Sequence, residues 1–150
     1  MNTSVSNMID TRNKTLALHN IDLPASVFSD QSEYIRLTRR GISGKVLQQA
    51  VTVYGHRELF TNLLEITSSN LSRYYKKKAL DEGDSEKILD TIHLFLIAEN
   101  VFGNLDIANE WINHNIPALG NKKPIELCDT FKGREMVAHA LRKIEFGEFV

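Results

Sequence analysis

Apolar positions recur at helical spacing along most of the chain. Val46, Leu47, Ala50, Val51 and Tyr54 share one face at i, i+3, i+4 intervals. Ile88, Leu89, Ile92, Phe95 and Leu96 form the buried stripe of a longer helix from Ser85 to about Phe102. No alternating strand pattern stands out, so the expected fold class is all-α. Punctuation residues divide the pattern. Asp30 and Glu33, at capping-box spacing, open a helix that runs to about Arg39 and stops at Gly41. Ser43 caps the next helix, and Gly55 ends it. A short helix follows from Arg57 to Leu64, with Leu59, Phe60, Leu63 and Leu64 apolar. Glu65-Ile66-Thr67 then turns the chain abruptly. Ser68 or Ser69 caps a third helix from Asn70 to about Lys78, with Leu71, Tyr74 and Tyr75 inward. Two short helices across a three-residue turn predict a helix-turn-helix unit.

Past residue 80 the pattern resumes after the polar break Asp81-Glu82-Gly83-Asp84. Gly103 closes the long helix, and Asp106 starts another through Trp111. Ile116 to Pro124 is a loop, and Pro124 takes the first position of a short helix through Cys128. Thr130 precedes a turn at Gly133. The last helix, Arg134 to Ile144, is expected to bury Met136, Val137, Ala140, Leu141 and Ile144. The expected organisation is a mobile leader (1–28), a helix-turn-helix bundle (29–80) and a small helical domain (81–150).

Composition agrees with a folded helical chain. Of 150 residues, 42% are hydrophobic and 25% charged, with 8 glycines and 3 prolines, too few for many short strands. The longest uninterrupted apolar run is Leu94 to Ala98, far below the roughly 20 residues of a spanning helix, so no membrane partner is expected. Met1 to Asn20 is polar and lacks a signal-peptide run, which makes a reducing cytoplasm the expected compartment. The single cysteine, Cys128, forms no internal disulfide and excludes a multi-cysteine zinc site.

Charge is more informative. Residues 1–80 hold 11 Lys and Arg against 6 Asp and Glu, and residues 81–150 hold 7 against 13. A basic half at +5 can approach nucleic acid, while an acidic half at −6 is free to meet a protein. On the third helix Ser68, Ser69, Asn70, Arg73 and Lys76 face outward, where helix-turn-helix proteins present side chains to the major groove. Asn suits adenine and Arg suits guanine or phosphate, and Lys76, Lys77 and Lys78 reach phosphates. A solvated basic face is the plain alternative. No catalytic constellation emerges. His19, His56, His93, His114 and His139 are not spaced as metal ligands, and no nucleotide-binding or nucleophile motif occurs. Neither a metal nor a cofactor is expected, and an enzyme is not favoured.

One stretch is specific enough to suggest a family. The residues are Val101-Phe102-Gly103, Ala108, Trp111-Ile112, Ala118-Leu119-Gly120, Lys123-Pro124-Ile125-Glu126-Leu127, Asp129-Thr130, Gly133, Val137, Leu141 and Ile144-Glu145-Phe146-Gly147. In order and spacing, residues 101–150 resemble the toxin-binding domain of the Xre/MbcA/ParS antitoxins. Upstream, Ile35-Arg36, Gly41-Ile42, Leu47, Ile66-Thr67, Leu71 and Arg73 resemble the family's Xre-like region. The resemblance implies a type II antitoxin paired with a RES-domain toxin that depletes NAD. It implies a C-terminal segment that obstructs the toxin's NAD pocket, a homodimer, and autorepression through operator DNA.

Phe146, Gly147, Glu148, Phe149 and Val150, with Arg142 one turn earlier, are the expected toxin-binding residues. Apolar side chains beyond a flexible glycine suit insertion into a cleft. Trp111, Leu119, Gly120, Pro124, Thr130 and Gly133 are expected to shape the domain. Three positions depart from the family pattern: Asn121 replaces a glycine, Glu65 replaces the turn glycine, and Ser69 stands where arginine is common. The competing reading is a stand-alone transcriptional regulator whose C-terminal domain dimerises or binds another protein.

Overall fold

The computed structural model describes residues 20–147. Among these residues eight α-helices and two single-turn 3-10 segments form an all-α fold, with one isolated bridge between Ile116 and Lys122. The helices are α1 (Gln31–Arg40), α2 (Gly44–Tyr54), α3 (Arg57–Leu64), α4 (Leu71–Tyr75), α5 (Glu82–Phe102), α6 (Leu105–Ile112), α7 (Pro124–Leu127) and α8 (Phe131–Glu145). The 3-10 turns are Ser68–Asn70 and Pro117–Leu119.

Local chemistry sets most helix starts. The Asp30 carboxylate accepts from the backbone N–H of Ser32 and of Glu33. The reciprocal half of the expected capping box does not form. The Asp30 N–H already donates to the Ser26 carbonyl, and Glu33 pairs with Arg36 at 2.6 Å. Ser43 caps α2 through the Val46 N–H. Asp81 caps α5 through the Asp84 N–H at 2.7 Å, so the helix begins three residues before the expected Ser85. Asn104, two residues ahead of the expected Asp106, caps α6.

The central element is α5. It packs against α1, α2, α3, α6 and α8. The expected single stripe is too narrow a description. Thr91 and Leu94 are buried as well as Ile88, Leu89, Ile92, Phe95 and Leu96, because neighbours surround the helix. Between α5 and α6 the chain turns through 111°, with Gly103 in the left-handed region. No single helix among the described residues is long and apolar enough to cross a membrane.

Two expected boundaries look different in three dimensions. Asp81-Glu82-Gly83-Asp84 is a helix start rather than a break in the core. Across it, the Ile42 N–H donates to the buried Ser85 hydroxyl and the Leu80 N–H donates to the Ile42 carbonyl. The buried cluster accordingly runs from Ile21 to Leu141 without division. The expected mobile leader is packed in its last residues. Ile21 and Val27 are buried, Asp22 pairs with Lys45, and Phe28 stacks on His93 with ring centroids 4.6 Å apart. The remainder of the leader, 1–19, lies outside the described residues.

Candidate functional site

Two surfaces carry the expected site residues. The first is the C-terminal helix and its end. Thr130 is the N-cap of α8, its hydroxyl accepting from the Gly133 N–H at 3.0 Å, so the helix starts at Phe131 rather than Arg134. A β-carbon at Gly133 would collide with the Leu127 carbonyl, which makes glycine a packing requirement where α7 meets α8. Arg134 is buried. Its guanidinium donates to Asp90 on α5 at 2.6 Å and to the Cys128 carbonyl at 2.9 Å, fixing α8 against α5 and α7. Burial pushes the Cys128 thiol up to about 12, so the sulfur stays protonated and unreactive.

Inward, α8 presents Val137, Ala140 and Leu141. Met136 and Ile144, expected inside, are 40% exposed and half-buried, because the packed face turns toward Gly133, Val137 and Leu141. Outward stand Arg142 and Phe146, the latter 76% exposed. Gly147 adopts φ 76°, turning the backbone off the helix end. Arg142, Phe146 and Gly147 therefore share one end of the molecule. Glu148, Phe149 and Val150 lie outside the described residues.

The loop ahead of α8 is shaped by the expected residues. Trp111 packs at a tilt on Phe102, with centroids 5.7 Å apart, joining α6 to the end of α5. Leu119 is buried, and Gly120 and Asn121 both sit in the left-handed region, so Asn121 holds the conformation of the glycine it replaces. Pro124 is buried at the first position of α7, where Glu126 accepts from the Lys123 N–H.

The second surface is the helix-turn-helix. Here α3 ends at Glu65 with φ 55°, and the 3-10 turn leads into α4. The expected third helix is shorter than its periodicity suggests, stopping at Tyr75 instead of Lys78. The Lys77 carbonyl is taken by the Gly44 N–H, and the Tyr74 and Tyr75 carbonyls lie where a β-carbon on Gly44 would be. Thr67 holds the cap position of the 3-10 turn and Asn70, rather than Ser68 or Ser69, that of α4, neither with a side-chain cap bond.

Of the expected DNA-facing residues, three are engaged within the turn. Arg57 donates to the Ser68 hydroxyl and carbonyl at 3.2 Å. The Ser69 hydroxyl is 3.0 Å from that of Thr67, and the half-buried Asn70 amide donates to the same Thr67 oxygen. Arg73 and Lys76 project to solvent, and Lys77 lies over the Tyr74 ring at 3.9 Å. Sequence reasoning missed Arg57 as an organiser of this turn. Its signal was a cation eleven residues ahead of Ser68, which acquires meaning only when the turn folds back.

The two surfaces are joined through His56, which stacks on Phe95 and lies 3.2 Å from the Asn109 side-chain oxygen on α6. Among the described residues no group of three His, Cys, Asp or Glu is placed to hold a metal ion.

Residues 98–147, from the last turns of α5 through the end of α8, match the Antitoxin Xre/MbcA/ParS C-terminal toxin-binding domain. The chain thus carries, over its last third, a region similar to the toxin-binding domain of Xre/MbcA/ParS antitoxins, a domain whose partner class is a toxin. A curated relative from Sphingobium sp. (strain YBL2), named Prs ADP-ribosylating antitoxin, is 25% identical over 126 residues. That similarity covers 77% of this chain and 79% of the relative, so it extends well upstream of the matched domain.

Proposed function

We propose that this chain is an antitoxin that neutralises a RES-domain toxin that depletes NAD, by filling the pocket through which NAD enters. The observation that carries this reading is the exposed Phe146, followed by Gly147 in a left-handed conformation, at the end of the matched toxin-binding domain. An apolar side chain held out on a pinned helix is suited to enter a cleft in a partner. Inhibition of this kind needs no catalysis by the antitoxin and no metal or cofactor. The chain acts as a homodimer in the cytoplasm. It also represses its own operon, with Arg73, Lys76 and Lys77 at the phosphate backbone.

A second reading of the partner rests on the Sphingobium relative, whose name includes ADP-ribosylation. That partner would also consume NAD, but would transfer ADP-ribose to a protein. Co-expression with the neighbouring gene product tests the first reading. Cellular NAD should fall with the partner alone and recover when this chain is present and co-purifies with it. Labelled ADP-ribose bound to protein as NAD is consumed and nicotinamide released, in place of free ADP-ribose, selects the second. If no partner co-purifies and NAD never moves, the stand-alone regulator replaces both.

A further inference from the structure

Phe131 begins α8 and is 66% exposed, beside two adjoining depressions that both use Phe131, Asp90 and Arg134. One, of about 270 Å³, follows α5 and α8 past Leu94, Ile97 and Ala138 to Arg142. The other, of about 540 Å³, opens toward Tyr34 on α1 and Glu86 on α5. Together they form a groove from α1 down the outer face of α8. Phe131, Glu135, Ala138 and Arg142 recur at intervals of four, three and four, so they lie on one stripe of that helix. At about 1.5 Å per residue, the stripe is some 16 Å long and ends one turn before Phe146.

The charges of the groove are unevenly compensated. Asp90 is matched by Arg134, and Glu135 by Lys132 at 2.9 Å. Lys87 also lines this end, its ammonium donating to the Leu63 carbonyl and forming no ion pair with Glu86 or Asp129. Glu86 and Asp129 are exposed at the mouth. Burial, with the negative charges of Asp90 and Glu86, raises the Tyr34 hydroxyl to about 12. This end therefore presents an aromatic face beside uncompensated negative charge, a setting for a cationic side chain.

We infer that the toxin docks along this α5–α8 groove as well as at the tail. Phe131 is the apolar anchor, and a lysine or arginine of the toxin sits against Glu86 and Asp129. The inference rests on the chain being an antitoxin, and it deepens that reading in one respect. Tyr34, Glu86 and Asp90 lie upstream of residues 98–147, so the toxin-binding face is completed by residues outside the matched domain, Tyr34 coming from the N-terminal half. Continuity with the matched domain selects the toxin as occupant over a second copy of this chain, because Phe131, Ala138 and Arg142 all belong to that domain.

The test uses the full-length chain and the product of the neighbouring gene. Phe131→Glu keeps the fold, since the position is exposed and a carboxylate suits a helix start. It should weaken toxin binding at least tenfold with an unchanged melting temperature. Glu86→Lys should weaken binding and flatten its dependence on salt. Both variants binding within twofold of the wild type overturns the inference. So does a change in sedimentation of the free antitoxin with toxin affinity intact, which would make the groove a contact between copies. Failure of the wild-type chain to bind the gene product is a different result. It removes the antitoxin reading, and the inference falls with it.

Discussion

Three non-glycine residues, His56, Glu65 and Asn121, hold left-handed backbone conformations, and each has a different reason. Asn tolerates that region through its short polar side chain. His56 is held by its stack on Phe95 and its contact with Asn109. Glu65 is exposed, and only its backbone is used, with Glu65 and Ile66 donating to the carbonyls at the end of α3. Glu65→Gly should therefore stabilise the protein by about 1 kcal/mol and raise the melting temperature by a few degrees. A fall in melting temperature would mean that the Glu65 side chain makes a stabilising contact.

A second residue-scale prediction concerns Tyr54 and Glu99. The Tyr54 hydroxyl and one Glu99 carboxylate oxygen are buried without a hydrogen-bond partner among the described residues. Burial raises the Glu99 carboxyl above its ordinary value, and burial with the nearby Glu99 charge raises the Tyr54 hydroxyl. A carboxyl raised by folding favours the folded state when protonated, so its contribution is present at low pH and lost as pH rises through the folded value. Glu99→Gln should be more stable than the wild type at pH 7. The difference should shrink as pH falls toward 4.5, the ordinary value of the group. Urea denaturation of both proteins across that range checks it, and a constant difference would rule the titration out.

At the scale of elements, caps were the most legible feature. Asp30, Ser43 and Pro124 act where their local chemistry places them, because a cap needs only neighbours a few residues away. The length of α4 was not legible. Its periodicity runs on to Lys78, but the segment is claimed by the start of α2 through Gly44. The same contact leaves Arg73 exposed on a helix of only five residues and Lys76 exposed at its C-cap. Arg73→Ala with Lys76→Ala should weaken operator binding severalfold and reduce its salt dependence, with toxin affinity unchanged. Equal loss of both activities would show that these side chains hold the fold or the dimer.

Across the whole molecule, α5 carries both halves. It packs on α1, α2 and α3 from one half and on α6 and α8 from the other, so the toxin-binding domain rests on residues outside its own boundaries. The end of α8 is pinned at its start by Arg134 and Gly133, while Phe146 contributes little to the core. Deleting Phe146 to Val150 should leave the melting temperature within a degree or two but abolish rescue of growth from the toxin. Rescue by the truncated chain would remove tail insertion from the mechanism.

The sequence by itself determined the all-α class, most helix bounds and the family of the C-terminal third. Helical periodicity, caps and short turns depend on residues close along the chain, and the domain's pattern is contiguous. Tertiary structure decided the rest. It packed Ile21 and Val27 into the core, converted Asp81-Asp84 from a boundary into a helix start, and shortened α4. It also joined Phe131 to Tyr34 and Glu86 in one groove. Each outcome depends on partners tens of residues away in the chain, and no local pattern specifies which of them will meet.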